Sequence, residues 1–276
     1  GWLGIAMPEE VGGSGLGLTE ASIMMQTVAR SGAGFTGCSS IHLNIFGAKP
    51  IEKFGTKEQK QEFLPKIISG QQKMCFGVTE PNSGLDTSSL ETRAERTNSG
   101  YVINGRKIWT TGAQRADKIL LIARTTPKDK VAKAYMGLSL FYCDMKGIEA
   151  KPIPKMGRKA VECNMLYFDN LQIPKEALIG EEGQGFKYLL QGLNPERVLF
   201  AVEAIGLGFC ALERATTYAK ERVVFGRPIG QNQGVAHPLA KSWAELSAAE
   251  LLAYKAATLY DKGEECGAEA NAAKYL

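Results

Sequence analysis

The spacing of apolar positions changes twice along the chain. Over residues 1–73 it is helical. Ala21, Met24, Met25 and Val28 share one face of a segment that runs from Thr19 to Arg30. A second helix is predicted over 41–54. A third starts at Thr56-Lys-Glu-Gln59, a capping-box pattern, and continues to Ile68. Over 74–180 the runs shorten to strand length: Tyr101-Val-Ile103, Ile119-Leu-Leu-Ile122, Leu138-Ser-Leu-Phe-Tyr142 and Met165-Leu-Tyr-Phe168. Turn residues separate them at Asn98-Ser-Gly100, Asn104-Gly105, Lys146-Gly147 and Asp169-Asn170. Asn104-Gly105 between Val102-Ile103 and Lys107-Ile-Trp109 predicts a hairpin. Several short strands in succession predict a sandwich or barrel.

Over 181–276 helical spacing returns. Asn194 as N-cap and Pro195 in the first helical position predict the start of the longest helix. Along it Val198, Val202, Ile205, Phe209 and Leu212 trace a bundle seam. Another helix is predicted from Gln233 to Lys262, and the final residues 268–276 also read as helix. The order helices, strands, helices excludes an alternating α/β sheet and predicts an α+β chain of three domains: 1–73, 74–180 and 181–276.

Composition narrows the picture. The chain has 276 residues, 44% of them hydrophobic and 22% charged, which excludes a disordered chain or a fibre. A net charge of +4 gives no argument for nucleic acid. No apolar stretch reaches the roughly 18 residues of a membrane span. The opening, Gly1-Trp-Leu-Gly-Ile-Ala-Met-Pro8, lacks a basic leader region, and the final helix stops uncapped, so a fragment cut at both ends is expected. Six cysteines without a C-x-x-C pair, and only two histidines, give no zinc pattern; the cysteines read as buried, reduced thiols.

Read for chemistry, single motifs leave alternatives open. The turn Gly12-Gly-Ser-Gly-Leu-Gly17 lacks both nucleotide-loop signatures and reads as a surface turn. Val78-Thr-Glu-Pro-Asn-Ser-Gly84 is either a capped connection or a loop presenting N–H groups to an acceptor-rich ligand. Trp109-Thr-Thr111 either packs or stacks on a flat heterocycle. Glu196 reads first as a helix-start carboxylate favoured by the macrodipole, and Arg197 as a solvated charge or its partner. His237 reads as a packing histidine.

Together these segments resemble the acyl-CoA dehydrogenase family. The resemblance rests on Met7-Pro-Glu-Glu-Val-Gly-Gly-Ser-Gly15, Phe54-Gly-Thr-Lys-Glu-Gln-Lys60, Phe76-Gly-Val-Thr-Glu-Pro-Asn-Ser-Gly84, Gly105-Arg-Lys-Ile-Trp-Thr-Thr111, Gly180-Glu-Glu-Gly-Gln-Gly-Phe186 and Glu221-Arg-Val-Val-Phe-Gly-Arg-Pro-Ile-Gly-Gln-Asn-Gln233. All occur in the family's order and span nearly the whole chain. The resemblance implies an N-terminal helical domain, a middle antiparallel β-barrel and a C-terminal four-helix bundle, here truncated. It implies FAD between barrel and bundle. Phe76, Val78, Thr79, Gly84, Trp109, Thr110 and Thr111 would line this chain's own flavin. Arg222, Phe225 and Gln233 would reach the flavin of a neighbouring subunit, in a homotetramer or homodimer.

The implied reaction is dehydrogenation of an acyl-CoA to the trans-2-enoyl-CoA. A carboxylate takes the α-proton, the β-hydride goes to flavin N5, and electrons pass to an electron-transfer flavoprotein. In most members the base lies beyond residue 276. In the isovaleryl-type and long-chain-type branches it falls on Asn194-Pro-Glu-Arg-Val-Leu199, which assigns it to Glu196, with Asn194 and Arg197 beside the CoA. Two departures stand out. Leu85 replaces a serine common near the CoA, and Asn232 replaces a histidine before Gln233. The compartment implied is a bacterial cytoplasm or a mitochondrial matrix. Two alternatives remain: an acyl-CoA oxidase or other flavoenzyme of the same fold, and a non-catalytic binding or assembly protein on that scaffold.

Overall fold

The computed structural model describes residues 1–276. In chain order the helices are α1 Leu18–Val28, α2 Gly34–Cys38, α3 His42–Phe46, α4 Lys49–Phe54 and α5 Lys57–Ile68. The strands β1 Met74–Gly77, β2 Arg93–Arg96, β3 Gly100–Thr111, β4 Lys118–Arg124, β5 Leu138–Asp144, β6 Glu149–Pro152, β7 Cys163–Pro174 and β8 Leu178–Ile179 follow. Then come α6 Gly185–Glu221, β9 Val223–Val224, β10 Arg227–Pro228, α7 Gln233–Asp261 and α8 Gly267–Tyr275. The chain forms two compact units, each discontinuous in sequence. The first contains Gly1–Gly15 and Leu43–Leu193; the second contains Leu16–His42 and Asn194–Leu276.

The first unit is built on an eight-stranded sheet in the order β6-β7-β3-β2-β4-β5-β8, with β1 paired to β4 off that path. The expected closed antiparallel barrel is not formed. The path ends at β6 and β8, and β1 and β2 run parallel to β4. The reason lies in strand length: β8 contributes two residues and β6 four, too few to join the two ends. The sheet bends at β2, whose only pairing to β4 is Arg93 with Arg124. Tyr101 of β3 and Phe141 of β5 therefore meet at 4.9 Å, although they lie three strands apart. Side chains alternate along β4. Ile119, Leu121 and Ala123 enter the core inside the bend, while Leu120 and Ile122 pack with Ile51, Leu64 and Ile67 of α4 and α5. That double burial is why β4 reads as an unbroken apolar run.

The predicted hairpin at Asn104-Gly105 is not a turn. β3 continues through it as one strand of 12 residues, paired to β7 on both sides. The pair makes a bulge instead. The register shifts between Ile103 and Gly105, with Gly105 at φ +150°, and Asn104 bonds across to Asn170. A Cβ on Gly105 would lie 2.6 Å from Thr92 Oγ1, so the residue just before β2 already occupies the space where a side chain would go.

The N-terminal helices follow the pattern with one break. Thr56 caps α5, accepting from Gln59 N while Gln59 Oε1 accepts from Thr56 N. The single helix expected over 41–54 is split into α3 and α4 at Gly47-Ala48, just before Pro50, whose missing N–H suits a helix start. The glycine turn at 12–17 is a surface turn, with Gly12 and Gly15 at positive φ.

In the second unit the seam residues Val198, Val202, Ile205 and Phe209 of α6 are buried, as are Ala249, Ala253, Ala256 and Ala257 of α7 and Ala21 and Met25 of α1. Gly206 lets α1 approach closely, since a Cβ there would lie 2.5 Å from Gln26 O. The predicted helix start at Asn194 is corrected. α6 begins at Gly185 and Pro195 lies inside it. Phe186, Tyr188 and Leu189 pack into the core of the first unit, and that burial holds the helix ahead of the proline despite the lost backbone bond. His237 is exposed rather than packed. None of the six cysteines is disulfide bonded, and five are buried.

Candidate functional site

The candidate residues fall into three groups, one in the first unit and two in the second. In the first unit, Phe76 ends the apolar part of β1 and packs edge-on against Phe46 at 6.1 Å. Val78 and Thr79 follow, both half-buried. Their carbonyls are taken from behind: Lys107 Nζ donates to Val78 O at 2.8 Å, and Ile108 N to Thr79 O at 2.9 Å. Glu80 turns back and is buried. Its carboxylate accepts from Glu91 N at 2.7 Å, from Thr92 N at 3.0 Å and from Lys107 Nζ at 2.8 Å. Burial alone would raise the Glu80 carboxyl, but the Lys107 ammonium and these N–H donors hold it below the usual range. Lys107 is wholly buried, and burial lowers its ammonium to about 8.

β3 carries a second bulge between Lys107 and Thr110. Within it Trp109 adopts φ +63°, unusual for a bulky residue, and its side chain is 55% exposed. The Ile108–Thr79 bond places this indole's strand beside the Val78-Thr79 step. Thr111 is half-buried, with its hydroxyl 3.7 Å from Cys163 Sγ. Thr110 is buried instead, and its hydroxyl finds no partner; only its carbonyl is used, by Asn164 Nδ2 at 3.1 Å. Gly84 and Leu85 stand apart at the outer end of the loop, with Leu85 fully exposed. A flat ligand rich in acceptors fits this patch: an outward-facing ring, a half-exposed hydroxyl, and a loop whose carbonyls are already bound behind it.

In the second unit Glu196 lies mid-helix on α6, eleven residues past the helix start, so a helix-start role does not explain it. Burial raises its carboxyl above the ordinary range, opposed by Lys274, Arg197 and His42 in that order. Arg197 Nη1 donates to Asn194 Oδ1 at 2.8 Å, one turn along the helix. Arg222, Phe225 and Gln233 gather around a separate hairpin. Phe225 and Gly226 occupy its tip with φ +51° and +76°, the pair of positive angles a type I′ turn requires. Phe225 is 100% exposed, and Arg222 and Gln233 are exposed on either side.

Two pairs escaped the sequence reading. Glu80–Lys107 lies inside quoted motifs, but no spacing rule links residues 27 apart. The other is His42–Glu203 in the second unit, 2.8 Å between Nδ1 and Oε1, with Glu203 fully buried. A charged residue inside the apolar seam of α6 was the available signal. No group of three or more His, Cys, Asp or Glu side chains is arranged to hold a metal ion, and no helix is long and apolar enough to cross a membrane.

Comparison with known proteins is consistent along the chain. Residues 1–71, 75–171 and 183–276 match the N-terminal, middle and C-terminal domains of acyl-CoA dehydrogenase. The acyl-CoA dehydrogenase FadE12 of Mycobacterium tuberculosis is 37% identical over 277 residues, covering 100% of this chain and 71% of that protein. Butyryl-CoA dehydrogenase of Megasphaera elsdenii superposes with a TM-score of 0.92 at 31% identity, over 99% of this chain and 72% of that one. PigA, solved with FAD and proline, superposes with a TM-score of 0.94 at 25% identity, over 99% and 71%. With all three domains matched in order, the chain belongs to the acyl-CoA dehydrogenase family.

Proposed function

We propose that this chain catalyses the FAD-dependent α,β-dehydrogenation of an acyl-CoA thioester, with Glu196 as the base for the α-proton. FAD, the cofactor of this family, supplies the acceptor for the β-hydride when bound. The observation that carries the reading is Glu196 itself: a half-buried carboxylate in mid-helix whose proton affinity burial raises. An acid of that kind takes a weakly acidic C–H proton more readily than a solvated one. Asn194 and Arg197, tied together on the same turn, would orient the thioester chain and its CoA. Val78, Thr79, Trp109 and Thr111 would hold the isoalloxazine, with Trp109 against one ring face. Phe76 and Thr110, largely spent on packing, would support that surface rather than touch it, and Gly84 and Leu85 would border the CoA side.

Arg222, Phe225 and Gln233 would serve a neighbouring subunit's cofactor. Their exposure supports this, since a fully exposed aromatic at a turn tip gains nothing within its own chain. The finer architecture is then a four-helix bundle in a homotetramer or homodimer, and the electron acceptor is an electron-transfer flavoprotein. The test is anaerobic addition of an acyl-CoA panel to the FAD-loaded protein. Bleaching of the flavin absorbance by one acyl-CoA is expected, and Glu196→Gln should slow it about 100- to 10,000-fold. Undiminished bleaching in Glu196→Gln would remove Glu196 from the role.

A second reading, a flavoenzyme of this fold with another substrate or with oxygen as acceptor, is favoured by the likeness to PigA, which was solved with proline. Bleaching by an amino acid but by no acyl-CoA, or stoichiometric peroxide during turnover, would select it.

A further inference from the structure

His42 and Glu203 have no part in the reading above, yet they lie in the second unit close to its candidate base. Glu203 is fully buried, and its Oε1 is 2.8 Å from His42 Nδ1. Its other oxygen, Oε2, is buried and has no hydrogen-bond partner. Burying a carboxylate with one oxygen unpartnered is costly, and the group bonded to its other oxygen is this imidazole. Glu196, Phe200 and Glu203 follow one another at i, i+4 and i+7, on one face of α6. The His42 ring packs on Phe200 at 4.9 Å between centroids. It therefore lies along the face that joins the two carboxylates. The Lys274 ammonium of α8 stands over the same Phe200 ring at 5.2 Å.

We propose that His42 and Glu203 are positioning residues for Glu196: Glu203 anchors a proton on the imidazole, and that charge faces the base carboxylate. The proposal rests on the reading of Glu196 as base. The other groups acting on Glu196 are Lys274 from α8 and Arg197 from its own helix; His42 is named with them among the charges that oppose the effect of burial. The thiol of Cys266, bonded to the Asn194 side chain, is pushed up by burial and carries no charge to compete. Lys274 is exposed and screened by solvent. Lys274 and Arg197 act more strongly than His42, and the imidazole is the one of the three that is buried.

Coupling of this kind is reciprocal, so it can be read from either partner. The chain holds only two histidines, and His237 is exposed and serves as an internal reference. The experiment follows both rings by NMR against pH in FAD-loaded protein labelled with 13C-histidine, with His237→Gln to assign the signals. The pH response of the His42 ring signals should change in Glu203→Gln and in Glu196→Gln, with the His237 signals the same in every variant. The acid limb of kcat/KM should shift to higher pH in both Glu203→Gln and His42→Gln, and the double variant should shift no further than either single one. A His42 pH response unchanged in Glu196→Gln would overturn the proposal and leave the pair as packing. That variant replaces a partly exposed residue, so it keeps the test decisive if Glu203→Gln fails to fold. Retained dehydrogenation by Glu196→Gln would instead sink the base assignment, a result the ring titration does not depend on.

Discussion

At the scale of single residues, the left-handed and buried positions carry the predictions. Gly105 sits at φ +150° against Thr92, so Gly105→Ala should cost about 1–3 kcal/mol in urea unfolding. Lys107 is the only cation bonded to the buried Glu80 carboxylate. Lys107→Met should therefore cost about 3–5 kcal/mol, and Lys107→Met combined with Glu80→Gln should lose less than Lys107→Met alone. Glu196 gives a pH test with a definite sign. Its carboxyl is raised in the folded state, so its contribution is fully present below the unfolded value and is lost as pH rises through the folded one. Glu196→Gln should therefore melt above the native protein at about pH 8, and that advantage should vanish at about pH 4. A carboxylate that is poorly solvated when ionised lowers stability in the pH range where it is charged.

At the scale of elements, local signals are legible in the sequence and tertiary overrides are not. The capping box at Thr56 and the seam of α6 stood in the sequence because each is set by neighbours within two turns. The bulge at Asn104-Gly105 did not, because the same dipeptide makes a turn when unpaired and a bulge when β7 lies alongside. Pro195 marks a helix start by local rules alone, but burial of Phe186 and Leu189 decides where α6 starts. Of the candidate site, the stretches that carry Trp109 and Glu196 were legible as motifs. The direction of Thr110 and the two ion pairs were not, since each depends on residues far apart in sequence. α1 shows the same dependence in its cap. Gly17 offers no side chain, and Asp261 of α7 accepts from Leu18 N at 2.6 Å and from Thr19 N at 2.9 Å instead. Asp261→Ala should cost about 0.5–2 kcal/mol, with the amides of Leu18 and Thr19 exchanging faster with deuterium.

At the scale of the whole molecule, the proposed role of the exposed hairpin at Phe225 would make cofactor retention a property of assembly. Arg222→Ala should weaken FAD retention about tenfold or more on gel filtration, with the melting temperature of the flavin-free protein unchanged. Retention should also fall on dilution, as subunits separate. The discontinuous second unit has a consequence for synthesis. Residues 16–42 are made first, but the rest of the unit in which Ala21 and Met25 are buried starts at Asn194, about 150 residues later. At about 5–20 residues per second, that interval is roughly 8–30 s. Throughout it the first unit can gather its own strands while α1 waits, uncapped and with its apolar face bare. The nascent chain therefore exposes for that interval an apolar face that the finished protein buries.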